Sequence, residues 1–226
     1  MDLLKDNVGK LYRKFFIASF GSALIACIYG LVDMAMVGQY HGPDGSAAMA
    51  VIAPIWNIIY SFGLLCGIGG SVIYAVARGE RDDVKAANGY FTSAFILGTL
   101  WALILWVLVW VCEEPLLRLF GANDALMPLC KEYMVAPKLT VPVYVFINLL
   151  SSFLRNDGDP GRATKAVIFG GIFNVFGDYF FVFTLDMGIK GAGIATAMGA
   201  SMSVLVMLTH FISKKNTLKF VKPLRI

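Results

Sequence analysis

Six apolar runs follow one another along this chain, at 15–39, 47–77, 88–112, 133–154, 166–183 and from the turn at 186–191 to about 213. A helix needs roughly 20 residues to cross the ~30 Å of bilayer hydrocarbon, and most of these runs reach that length. In hydrocarbon every backbone N–H and C=O must be paired within the protein, so a spanning segment is held to a few regular forms. Composition agrees: 58 % of residues are hydrophobic, 15 % are charged and mean hydropathy is +0.71, whereas a soluble domain carries about 25 % charged residues. The chain therefore reads as an all-α membrane protein. It is a bundle of six transmembrane helices over 15–213, between a basic N-terminal segment, 1–14, and a basic tail, 214–226. The first run is too long for the ~7–15-residue core of a signal peptide, so it is read as a span.

Six spans put both termini on one side. Fifteen basic residues then fall on that side: Lys5, Lys10, Arg13 and Lys14, Arg78, Arg81 and Lys85, Arg155, Arg162 and Lys165, and five in the tail. Four fall on the other, Arg118, Lys131, Lys138 and Lys190. The positive-inside rule makes the richer side cytoplasmic, giving a multi-pass protein of the cell inner membrane with both termini in the cytoplasm. The net charge of +4 is thus a matter of topology and does not imply nucleic-acid binding. Cys27, Cys66, Cys112 and Cys130 form no CxxC pair and fit neither a disulfide nor a metal framework. His41 and His210 fall at opposite membrane faces, which argues against a histidine metal site. Gly63, Gly67, Gly69 and Gly70 mark a face of the second span where another helix can approach. The glycine-rich pieces at 67–70 and 188–193 follow no strand and are read as packing and turn elements, not nucleotide loops. Pro137 and Pro142 point to a late start or a kink in the fourth span.

Chemistry enters with the polar residues inside spans. In the fifth span, AVIFGGIFNVFGDYFFVF at 166–183, Asn174 and Asp178 lie four residues apart, one above the other on a helix face. Asp33 is the other acidic residue well inside a span. A buried carboxylate costs about 2.5–3.5 kcal/mol on insertion scales and generally marks an ion or substrate path. At 1.5 Å per residue, Asp33 lies about 9 Å below the outer surface, Asp178 and Thr196 about 12 Å and Asn174 about 18 Å. Two carboxylates, an amide oxygen and a hydroxyl at similar depth suit a hard cation or a shared proton.

Four motifs make the chain resemble a known family. VDMAMVG at 32–38 resembles the (V/I)D-x-x-x-V-G of MATE (multidrug and toxic compound extrusion) transporters. LRNDGDP at 154–160 resembles their R-x-x-G-D/N-P loop, NVFGD at 174–178 their N-x-x-x-D, and GIKGAGIAT at 188–196 their G-I-x-G-A-A-x-A-T. The motifs stand in family order and at family spacing. The resemblance implies a twelve-helix fold of two six-helix lobes, of which this chain matches the N-terminal one, so a C-terminal or second six-helix lobe is an expected partner. It implies a cation-coupled (Na⁺ or H⁺) multidrug efflux antiporter, not an enzyme, which exports organic cations and amphipathic drugs. It needs no cofactor beyond the coupling ion. It assigns that ion, Na⁺ if sodium-coupled, to Asp33, Asn174, Asp178 and Thr196. Tyr133 and Asn148 fall where family members line the lobe cavity, and Tyr29, polar and inside a span, joins them as a substrate-cavity candidate.

Other readings are a lipid-linked oligosaccharide flippase of the same superfamily and a non-transporting membrane subunit. An intramembrane aspartyl protease would use two aspartates as general acid and base. Its G-x-G-D element fails here, because Val175 occupies the first glycine position.

Overall fold

The computed structural model describes residues 7–79 and 83–222; Lys5, Arg81 and Arg225 lie outside them. The first helix, α1 (Val8–Gly79), has 72 residues, about 108 Å at the helical rise and far more than one crossing requires. It is broken at Gly42, whose φ of 67° is left-handed and strained for any residue with a Cβ. Pro43 follows and opens the second limb, where its missing N–H is no loss. The limbs run antiparallel. Arg155 Nη2 donates to Ser22 Oγ of the first limb (3.0 Å), and the neighbouring Asn156 Nδ2 donates to the Ser71 carbonyl of the second (3.0 Å). One helix by hydrogen bonding is therefore two spans by geometry.

The remaining elements are α2 (Val84–Val111), the short α3 (Glu113–Leu119) and α4 (Met127–Met134), a 3₁₀ turn Pro137–Thr140, and α5 (Val141–Asn156). Then come α6 (Pro160–Asp178), a π segment Tyr179–Thr184, α7 (Gly188–Leu208) and a 3₁₀ turn Thr209–Ile212. With α1 counted twice, six crossings result. The fourth span starts later than an apolar run from 133 suggests: Tyr133 belongs to α4, and Pro137 and Pro142 start the 3₁₀ turn and α5. The glycine-rich 188–193 piece is the first turn of α7, and α6 begins already at Pro160.

Small residues set how closely the helices approach. Cβ atoms at Gly63 and Gly67 would lie 2.8 Å from the carbonyl oxygens of Val145 and Asn148, so the second limb rests on the α5 backbone. Gly70 meets Ala94 and Phe153, whereas Gly69 faces open space and takes no part in this contact. Large apolar side chains such as Phe16, Phe20, Leu24 and Ile28 point outward instead.

His41 and His210 do lie at opposite ends. His41 Nε2 accepts from the Ile189 N–H at the start of α7 (3.0 Å). His210 is fully buried and bonds Asp157 Oδ2 through Nε2 (2.7 Å). Asp157 also accepts from Tyr74 Oη (3.0 Å), the Thr217 N–H (2.9 Å) and Thr217 Oγ1. These bonds pin an extended strap, residues 213–222, across the bundle. The strap continues along α2: Lys219 N–H donates to Asn88 Oδ1 (2.7 Å), Val221 N–H to Thr92 Oγ1 (3.0 Å), and the Phe220 ring packs at a tilt on Phe91 and edge-on to Phe95.

Burial pushes the Asp157 carboxyl up, but its bonds from His210, Thr217 and Tyr74 outweigh this and hold it below the ordinary carboxylate range. A depressed folded value means that stability from Asp157 is present above the unfolded value of about 3.9 and is lost as pH falls through the folded value. The chain should therefore melt lower at about pH 3 than at about pH 6, and Asp157→Asn should remove part of that difference. Identical acid sensitivity in the variant would show that the strap contact is not the acid-labile element.

Candidate functional site: a buried oxygen cluster between α1, α4, α6 and α7

Asn174 and Asp178 occupy the last turns of α6, on the face toward α7. The close approach has local causes. A Cβ on Gly177 would sit 2.9 Å from the Ala195 Cβ, next to Thr196, and a Cβ on Gly199 would sit 3.0 Å from the Asn174 Cβ. Gly193 likewise leaves room for the Tyr133 carbonyl, so α4 settles on α7. Immediately after Asp178 the helix widens into the π segment. Such widenings are frequent at functional sites.

These approaches bring one residue of α1, one of α4, two of α6 and one of α7 into a single network. Asp33 Oδ2 accepts from Tyr133 Oη (3.2 Å) and from Thr196 Oγ1 (3.2 Å). Asn174 Nδ2 donates to Thr196 Oγ1 (3.2 Å) and to Asp178 Oδ1 (3.4 Å). Asp178 is 0 % exposed, Asn174 and Tyr133 2 %, and Asp33 5 %. The four residues matched by depth along separate spans thus converge. Tyr133 joins them directly.

Three buried oxygens of the network have no hydrogen-bond donor: Asp33 Oδ1, Asn174 Oδ1 and Asp178 Oδ2. Among the described residues no Lys, Arg or His pairs with either aspartate. Two carboxylates inside a bundle with no basic partner need neutralisation from a proton or a cation, since an uncompensated buried charge is strongly destabilising. All the free groups are hard oxygens, a set that fits a small hard cation. Among the described residues all four cysteines are free thiols, and none belongs to this network.

The other two candidates lie outside this network. Tyr29 packs against α6, where a Cβ on Gly171 would be 2.9 Å from its ring. Asn148 faces the second limb at Gly63 and donates to the Tyr144 carbonyl of its own helix (3.2 Å). Sequence reasoning passed over Tyr144, whose hydroxyl donates to the Thr196 carbonyl (3.3 Å) and whose ring lies 5.0 Å from that of Trp56. Its position four residues before Asn148 on α5 was the available signal.

A bundle of six crossings with buried, unpaired carboxylates is the architecture of a membrane transport lobe. The model of the MatE family matches residues 18–180, and the chain belongs to that family, whose members are transporters and not enzymes. It is 24 % identical over 225 residues to the multidrug export protein MepA of Staphylococcus saprophyticus, covering 97 % of this chain and 49 % of that protein. MepA of Staphylococcus aureus is 22 % identical over the same length. Among solved structures, MATE in the bent conformation superposes with a TM-score of 0.88 at 24 % identity, covering 97 % of this chain and 49 % of that one. The outward-facing conformation of a multidrug resistance MATE family transporter of the MOP superfamily gives 0.84 at 26 %, covering 97 % and 48 %. The chain spans about half the length of the curated relatives it matches.

Proposed function

We propose that this chain is the N-terminal lobe of a cation-coupled multidrug efflux antiporter of the cell membrane, and that Asp33, Asn174, Asp178 and Thr196, with Tyr133, hold the coupling Na⁺ or H⁺. The observation that carries the reading is the trio of buried, donorless oxygens on Asp33, Asn174 and Asp178, with no basic residue to balance the two carboxylates. The relatives' description as multidrug export proteins supports the transport of drugs. Their doubled length supports a second lobe as partner, because alternating access needs two bundles moving about one site. The outward-pointing apolar side chains suit lipid, and the excess of basic residues toward one end supports a cytoplasmic orientation of that end. Tyr29 and Asn148, polar and set on helices beside the cluster, are candidates for the drug path.

Coupling requires the ion to favour one conformation energetically, because a ligand that binds both equally shifts nothing. Two aspartates on different helices, joined only through Thr196 and Asn174, meet that need: neutralising them draws α1 toward α6 and α7.

The test is the thermal stability of the purified chain in detergent with Na⁺ against choline and across a pH series. A sodium site raises the melting temperature, by about 2.7 kcal/mol of stabilisation at 100 times the dissociation constant. A proton site gives no Na⁺ effect but a midpoint that depends on pH above about 6, where the Asp157 contribution is already complete. In either case Asp33→Asn and Asp178→Asn should abolish the response, and in the two-lobe protein ion-dependent dye efflux should fall with it. A response that survives both substitutions would locate the ion elsewhere.

A further inference from the structure

The terminus-bearing end of the bundle holds a cavity of about 1100 Å³ that the oxygen cluster does not touch. Lys14, Arg78, Arg162, Lys165 and Lys215 line it. So do two carboxylates, Asp157 and Asp159, but both are already matched. Asp157 is held by His210, Tyr74 and Thr217. Asp159 accepts from Arg162 Nε (2.9 Å) and Lys215 Nζ (3.4 Å). Among the described residues Arg78 and Lys165 have no carboxylate partner. Uncancelled positive charge therefore remains on two walls, at the end of α1 and in the first turns of α6.

The rest of the lining favours the same sign. Gly158 and Gly161 border the cavity, and a Cβ on either would meet nothing within 4 Å. Their backbone is open to close approach. The 19-residue α6 starts between them at Pro160, and no side chain caps it, so its N-terminal partial charge adds to that of the side chains. Topology alone demands basic residues near the span ends, pointing in any direction. It does not demand that unmatched ones converge on one cavity while the acids beside them are already held by other partners.

We propose that this cavity binds a phosphate-bearing anion, with Arg78 and Lys165 as its charge partners. Arginine offers a planar fork of donors to phosphate oxygens and lysine a mobile point charge. The cavity exceeds one phosphate in size, and it opens where the spans end, so a phospholipid headgroup and a free phosphate are the two sources of this chemistry. The inference is independent of the ion site.

Two arms of one experiment separate the sources. Inorganic phosphate is titrated onto the detergent-purified chain and followed by ³¹P line broadening. Retention of phosphatidylglycerol against phosphatidylcholine is counted by native mass spectrometry. Each arm uses the parent chain, Arg78→Gln, Lys165→Gln, the double variant, and Lys10→Gln as a basic residue at the same end that does not line the cavity. Lys165 is exposed, so its substitution leaves packing intact, and Arg78→Lys is expected to keep most of the binding. Binding at least tenfold weaker in the double variant, with Lys10→Gln unchanged, supports the site. Loss in the phosphate arm identifies a soluble anion, and loss confined to phosphatidylglycerol identifies a headgroup. Absence of binding in both arms, or equal weakening by Lys10→Gln, overturns it.

Discussion

A Gly199→Ala variant should melt several degrees below the parent chain and lose ion response with it. Gly170 and Gly199 face each other across the α6–α7 contact. A Cβ on Gly170 would lie 2.5 Å from the Gly199 carbonyl oxygen, and a Cβ on Gly199 2.7 Å from the Gly170 oxygen. For Gly199 the nearest obstacle is the Gly170 backbone oxygen, so no side chain can turn away to make room. Helix propensity works in the other direction, since alanine is favoured over glycine by about 0.5–1 kcal/mol. Overpacking of a tight contact costs about 1–3 kcal/mol, so the clash wins. For a chain of this size each kcal/mol corresponds to about 2–4 °C. Asn174 stands on the same surface, 3.0 Å from the Gly199 Cβ position. Widening the contact therefore also displaces Asn174 from Thr196. The control is Gly69→Ala, also in a span but with nothing within 4 Å; it should be neutral or slightly stabilising. Equal melting of the two variants would refute the argument from close approach.

The second large effect is expected at the strap. Truncating His210 to alanine removes the bond that matches Asp157 at 2.7 Å. His210 is 0 % exposed, and the Asp157 side chain is buried with it. Losing one hydrogen bond to a buried charged group costs about 1.5–3 kcal/mol, and the cavity left by the ring adds to it. Hydrogen exchange should rise across 213–222, where the Thr217 and Lys219 amides are held by Asp157 and Asn88. His210→Ala combined with Asp157→Asn should recover part of the loss, since the buried charge that lacks one of its donors is gone. A double variant no better than the single would show that lost packing, not lost charge balance, dominates.

Much of this was legible along the chain. Span length and polarity follow from a local rule, that hydrocarbon excludes unpaired backbone, so the six apolar runs could be read one at a time. The oxygen cluster was legible for a related reason. Helical rise converts sequence distance from a span's end into depth, and Asp33, Asp178 and Thr196 emerged at one level before any contact was known. Tyr133 was harder. It lies in an apolar run that reads as the start of the fourth span, yet it belongs to a separate short helix, because Pro137 and Pro142 delay α5. Gly69 shows the same limit from the other side. It shares a glycine-rich run with Gly67 and Gly70, but helix geometry turns it away from the contact.

The strap could not be read locally at all. Tyr74, Asp157 and the stretch carrying His210 and Thr217 lie far apart in sequence, and each alone looks like an ordinary loop or interface residue. The basic cavity has the same character: its cations were visible as topology signals, while their convergence and the partners of Asp157 and Asp159 depend on where α1, α6 and the tail meet. Hydrophobic length and helical rise act within one segment, so six crossings and an expected depth for each polar residue can be read piece by piece along the chain. The tertiary structure alone decided which of those residues touch, because contact depends on rotation and approach between segments. Here these depend on the left-handed break at Gly42 and on close backbone approaches at Gly170, Gly193 and Gly199.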